Sequence, residues 1–180
     1  NGTIYNYPEL REQLIADGYQ FRSHSDTEVI LNAYACWGDQ AVEKLHGMFA
    51  FAIWDRQEKQ LFLARDRLGI KPLYYAKTSD GFYFASNPQA LIATGQCNTE
   101  IDPVGLHHQL SLHAVIPAPR TLLKGVRKCR PAFYLRLSAD GTLTESRYWS
   151  LQARRPQQEM TPQEWNEAIH EALMESVKKR

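Results

Sequence analysis

Three cysteines, three closely spaced histidines, one charged loop and a carboxylate at a helix start are the side chains of this sequence best suited to chemistry. Cys36, Cys97 and Cys129 form no CxxC pair and have no histidine beside them, so they read as ordinary thiols. Their sparse, odd number fits a reducing compartment, the cytoplasm, better than a disulfide scaffold. His107, His108 and His113 lack the Cys or carboxylate spacing of a closed metal site, and no metal is expected. Arg65, Asp66, Arg67 and Lys71 crowd one loop that has no phosphate-binding run of glycines. They are expected to pair with one another as a structural ion network. Asp26 opens a helix, where the macrodipole favours a carboxylate by ~0.5 kcal/mol. Because Ser25 and Glu28 already supply the cap, Asp26 is free for another partner. The pair Asn1-Gly2 has the composition of a turn at a strand end.

These residues need elements to hold them. Asn6 and Glu9 have capping-box spacing with Pro8 in the first turn, which predicts a helix with Leu10, Leu14 and Ile15 on its apolar stripe, stopped by Gly18. Ser25 and Glu28 form a second box ahead of Val29, Ile30, Ala33, Tyr34 and Trp37, with Gly38 as the stop. Residues 47–54, GMFAFAIW, are apolar at both parities, as in a strand covered on both faces. Strands are also expected at 61–64, 72–76 and 82–86, with a turn at Ser79-Asp80-Gly81. Four consecutive strands with short connections predict an antiparallel meander. Helices are expected at 88–93 and 103–112, an extended patch at 132–137, a turn at Asp140-Gly141, and a last short strand at Tyr148-Trp149. Helices around sheets with buried faces predict a layered α+β sandwich. Residues 151–160 lack periodicity and read as a linker. Thr161 and Glu164 then cap a helix striped by Trp165, Ile169, Ala172, Leu173 and Val177.

Composition narrows the classes further. The 180 residues are 43% hydrophobic and 23% charged, enough to bury a core and inconsistent with intrinsic disorder. With 21 basic and 20 acidic residues the formal charge is +1, which argues against a nucleic-acid binder. No apolar run is long enough to cross a bilayer, so no membrane association is expected. The chain opens on Asn1 inside a motif, without Met or a leader pattern, and reads as a piece whose N-terminus lies upstream.

Four segments, NGTIYNYPELR (1–11), SDTEVIL (25–31), HGMFAFAIWD (46–55) and LARDRLGIKPLYY (63–75), resemble the glutamine-hydrolysing domain of the asparagine synthetase family. FASNPQAL (84–91) and the Pro-Ala-Pro-Arg run ending at Arg120 continue the match in order. The resemblance implies an N-terminal-nucleophile hydrolase with an αββα sandwich, incomplete at its N-terminus. It divides the chain into a glutamine amidotransferase type 2 domain at 1–150, a linker at 151–160, and the first helix of a synthetase domain at 161–180. It further implies that a cysteine upstream of Asn1 attacks the glutamine side-chain amide and releases ammonia. The synthetase domain of the same chain would use that ammonia, with ATP and magnesium, to amidate a carboxylate. Glutamine, that synthetase domain and a second copy in a homodimer are the partners it suggests.

Attack on an amide builds negative charge on oxygen, which two fixed donors should meet. The Asn1 side-chain amide and the Gly2 backbone N–H are the candidates, set against the plain turn described above. The resemblance assigns Asp26 to the substrate α-ammonium, set against a helix-end charge. Two positions depart from the family: Thr3 and Asn87 stand where Glu is usual. Thr3, Tyr7-Pro8 and the run at 106–123 resemble the branch of N-acetylglutaminylglutamine amidotransferases. Two other readings remain: an interaction module that kept the fold without the nucleophile, and a different N-terminal-nucleophile amidotransferase.

Overall fold

A computed structural model describes residues 1–153 and 159–180. Its elements, in chain order, are β1 (Gly2–Ile4), α1 (Tyr7–Ala16), α2 (Asp26–Trp37), α3 (Ala41–Lys44), β2 (Gly47–Asp55), β3 (Gln60–Arg65), β4 (Tyr74–Lys77), β5 (Phe82–Ala85), α4 (Pro88–Ile92), α5 (Pro103–Ser111), β6 (Arg127–Lys128), β7 (Phe133–Leu137), β8 (Leu143–Arg147) and α6 (Pro162–Lys178). The strands form two antiparallel sheets. One has the order β1-β2-β3-β7-β8 and the other β5-β4-β6.

Alternation along β2 and β3 builds the core on both sides of the larger sheet. Phe49, Ile53, Phe62 and Ala64 point to α1 and α2, where they meet Leu10, Leu14, Val29 and Ala33. Ala50 and Leu63 point the other way, to Leu73, Tyr75 and Cys129 of the smaller sheet and its flanks, with Leu135 of β7 in the same layer. α4 lies outside the smaller sheet against β4 and β5. The order helix, sheet, sheet, helix is the expected αββα sandwich.

Three expectations need correction. The four central strands are not one meander: β2 and β3 belong to one sheet and β4 and β5 to the other. The chain changes layer at 66–73, folded by backbone bonds to Asp66 that are described below. β2 is covered on both faces only in part. Ala50 is buried, but Ala52 and Trp54 on the same face are exposed, because the three-stranded sheet is too narrow to reach them. The last strand is β8 rather than Tyr148-Trp149, and Tyr148 instead sends its hydroxyl to the Arg65 carbonyl at 2.7 Å.

Helix starts follow sequence chemistry unevenly. Thr161 and Glu164 make the full reciprocal box. Ser25 caps α2 through the Thr27 N–H at 3.1 Å, but Glu28 turns outward to Arg22 and Ser23. The Ser23 hydroxyl and the Arg22 N–H hold the Glu28 carboxyl below its ordinary range. Asn6 makes no cap at all. Its side chain spans to the end of α3, accepting from His46 N–H and donating to the Lys44 carbonyl, both at 2.9 Å. Of the linker expected at 151–160, residues 154–158 lie outside the described residues. α6 has no buried residue. No helix among the described residues is long and apolar enough to cross a membrane.

Phe62 sits at the centre of the helix-facing core, with ring centroids 4.9 Å from Tyr34 and 5.2 Å from Tyr134. Phe62→Ala is expected to destabilise the domain by about 3–5 kcal/mol through lost burial and a residual cavity. Denaturant midpoints at unchanged m-value check it.

Candidate active site

β1 assembles the site, and two glycines let it dock. A Cβ added at Gly2 would lie 2.0 Å from the Met48 carbonyl oxygen, and one at Gly47 would lie 2.1 Å from that of Thr3. Gly2 also has φ +135°, a conformation that residues with side chains rarely adopt. Backbone therefore meets backbone where a side chain would separate the strands. The Asn1 α-amino group donates to the Ala50 carbonyl at 3.0 Å, and Ala50 N–H donates to the Asn1 carbonyl at 2.9 Å. Tyr5 N–H donates to the His46 carbonyl at 2.7 Å.

Antiparallel pairs alternate between bonded and non-bonded positions. Asn1, Thr3 and Tyr5 thus direct their N–H groups at β2, while Gly2 and Ile4 direct theirs outward along the free edge. The Ile4 N–H donates to Asp26 Oδ2 at 3.1 Å. Asp26, expected from sequence to be free, is free in part only: one oxygen anchors β1 to the start of α2. Among the described residues, Oδ1 accepts no hydrogen bond and no cationic side chain pairs with the carboxylate.

Two hollows meet at this strand. One, of about 120 Å³, is walled by Gly2, Thr3, Asp26 and Thr27 over an apolar floor of Ile30 and Phe51. The other, of about 420 Å³, opens between the sheets and is lined by Asn1, Ala52, Leu73, Phe84 and Ser86. Asn1 borders both. Because it pairs across from Ala50, its side chain projects on the face of the second hollow. The structure thus gathers Asn1, Gly2 and Asp26 on one edge, and Thr3 joins them on its wall.

The other candidates lie elsewhere. Cys129 is fully buried, and desolvation pushes its thiol up to about 12. Cys97 donates to the Leu91 carbonyl at 3.3 Å, and none of the three cysteines borders either hollow. No group of three or more His, Cys, Asp and Glu among the described residues could hold a metal. Asn87 caps α4 through Gln89 N–H at 2.8 Å, which gives its departure from Glu a structural use.

The charged loop is structural, but not as an ion network. Arg65 donates to the carbonyls of Gly69, Lys71 and Cys129 at 2.6–2.7 Å. Asp66 is 1% exposed and accepts four backbone N–H groups: Phe49 and Lys71 on Oδ2, at 3.3 and 2.9 Å, and Leu68 and Ile70 on Oδ1, at 3.2 and 2.9 Å. A tight buried turn leaves its own amides and carbonyls unpaired, and these charges satisfy them. Sequence reasoning missed this role, as it missed the outward amide of Ile4 and the wall formed by Phe84 and Ser86. Only the Asp-x-x-Gly spacing of 66–69 signalled the turn.

Residues 1–149 match the family described as glutamine amidotransferase domain. Asparagine synthetase [glutamine-hydrolyzing] 3 of Bacillus subtilis is 40% identical over 86% of this chain and 25% of its own length. Asparagine synthetase [glutamine-hydrolyzing] 1 of the same organism is 45% identical over 83% of this chain and 23% of its own length. The chain thus spans about a quarter of the length of the curated relatives it matches. Among solved structures, glutamine phosphoribosylpyrophosphate amidotransferase from B. subtilis superposes with a TM-score of 0.59 at 23% identity, over 83% of this chain and 28% of that one. That likeness concerns the fold alone.

Proposed function

Since the chain belongs to the glutamine amidotransferase domain family, we propose that its β1 edge is the glutamine site of an asparagine-synthetase-type ligase. One observation carries this reading: an outward Gly2 N–H and, at the Ile4 N–H two residues further along β1, the Asp26 carboxylate occupy a single strand edge. That is roughly 6.5 Å of strand. The stretch from amide oxygen to α-ammonium in an extended glutamine matches it.

The substrate ammonium sits against Asp26 Oδ1, and the side-chain carbonyl oxygen sits at Gly2 N–H and the Asn1 amide. A cysteine preceding Asn1 supplies the thiolate, with its own α-amino group as base. Attack makes a tetrahedral oxyanion, which the two donors stabilise more than the neutral carbonyl. Collapse expels ammonia and leaves a thioester, and water then releases glutamate. In this reading α6 begins the next domain, where ATP and magnesium activate the acceptor carboxylate, and the protein works in the reducing cytoplasm. Aspartate is the acceptor suggested by the names of the relatives. The resemblance carried by Thr3, Tyr7-Pro8 and the run at 106–123 supports a second reading, in which the acceptor is a carboxylate of N-acetylglutaminylglutamine.

Asp26→Asn in the full-length enzyme tests the site. Asn keeps a carbonyl oxygen for Ile4 N–H, so the strand stays anchored while the charge is lost. A charge-assisted contact is worth roughly 1.5–3 kcal/mol, which predicts a KM for glutamine raised on the order of 10- to 100-fold. Turnover with free ammonia as donor stays near wild type. Equal losses with both donors would make Asp26 a helix-end charge only.

A further inference from the structure

We infer that Asp66 is a positioning residue for glutamine hydrolysis, holding the stretch of β2 on which the Asn1-Gly2 edge is built. The inference rests on the proposed glutamine site and names a group that this site does not itself include.

Asp66 grips Phe49 twice. Its carboxylate Oδ2 accepts Phe49 N–H at 3.3 Å, and its own N–H donates to the Phe49 carbonyl at 2.9 Å. Phe49 lies directly across from Gly2, and the next residue, Ala50, exchanges both bonds with Asn1. The contact across this pair is tight, since a Cβ on Gly2 would stand 2.7 Å from Phe49 Cα. A shift at Phe49 therefore cannot be absorbed between the strands and must move Gly2. The Asp66 carbonyl accepts Ala132 N–H at 2.9 Å, which ties the same residue to the segment entering β7. On its far side the Tyr148 hydroxyl fixes the Arg65 carbonyl at 2.7 Å, and burial keeps that phenol protonated and donating.

The geometry also explains why the group must be a carboxylate. Each oxygen faces two N–H donors. An Asn amide in either orientation would oppose its NH₂ to two of them. So Asp66→Asn loses two bonds whichever way it turns, and in one orientation the lost pair includes Phe49.

The test uses the full-length enzyme. For Asp66→Asn, kcat for glutamine hydrolysis is expected to fall 10- to 100-fold, with KM for glutamine within about threefold of wild type because Asp26 is untouched. Ammonia-dependent synthesis should be unchanged. Tyr148→Phe, a milder change that keeps the fold, should lower the same kcat by a smaller factor. Leu135→Ala provides the structural control: it opens a cavity in β7, two strands from β2, and should lower Tm without lowering that kcat. Amide exchange in the 180-residue Tyr148→Phe chain should quicken at Phe49 and Ala50. A kcat loss in Leu135→Ala equal to that of either variant at matched Tm, or unchanged kcat in Tyr148→Phe, would overturn the inference. A wild-type enzyme that used ammonia but not glutamine would instead overturn the proposed site, and amide exchange would then still report whether Asp66 holds β2.

Discussion

Incubated with glutamine, the 180-residue chain is expected to yield neither glutamate nor ammonia. Hydrolysis through a thioester needs a thiolate beside a base and next to the bound amide. Cys129 cannot supply it, since burial holds its thiol near 12 and it lies in the layer between the sheets. Cys97 is occupied by the Leu91 carbonyl beyond α4, and Cys36 is half-buried on α2, away from both hollows. The Asn1 α-amino group is a base in principle, but it is already bonded to Ala50 and no thiol accompanies it. What remains is the proposed pair of oxyanion donors and the proposed ammonium site, which would stabilise a transition state without starting the reaction. The measurement is glutamate and ammonia release by the purified chain. Turnover that survives replacement of all three cysteines would overturn the account, and turnover lost with one of them would identify a misplaced nucleophile. A full-length form with a cysteine preceding Asn1 should turn over under the same conditions.

The parts of this fold that were legible in the sequence share a local cause. Thr161 and Glu164 cap a helix within four residues of one another, and the double-parity apolar run of β2 reports two neighbouring layers, the second of which covers Ala50 but not Ala52 or Trp54. What escaped depends on partners distant in sequence. Asn6 had the spacing of a cap, yet bonding to Lys44 and His46 across 38 and 40 residues won. The break of the meander into two sheets turns on the Asp66 carboxylate, whose four donors include Phe49, 17 residues earlier. A charge in a loop looks the same in sequence whether it meets water, a counter-ion or backbone. The site followed the same division. Asn1, Gly2 and Asp26 were identified through the family resemblance, and the structure brings them to one edge. That Asp26 also carries Ile4 follows from the parity of β1 against β2, which no local pattern reveals.

Gly2→Ala and Asn1→Ala in the full-length enzyme are expected to lower glutamine-dependent kcat by similar factors, on the order of 10²–10³, for different physical reasons. Asn1 holds β2 through its backbone alone, with its backbone nitrogen and carbonyl on Ala50. Truncating its side chain therefore removes one proposed oxyanion donor and leaves the strand in place, so Tm should stay close to wild type. Gly2→Ala instead puts a Cβ where the Met48 carbonyl oxygen and Phe49 Cα already are, at 2.0 and 2.7 Å. These are backbone atoms of a central strand and cannot rotate aside. β1 must lift from β2, carrying the Gly2 N–H and the Asn1 side chain away from the substrate oxygen together. The Ile4 bond to Asp26 is strained in the same movement, so Tm falls with kcat. The double variant should then lose little more kcat than Gly2→Ala alone, because a displaced strand has no second donor left to remove. Multiplicative losses would show that Asn1 and Gly2 act on separate steps and that the shared oxyanion site at the β1 edge is wrong.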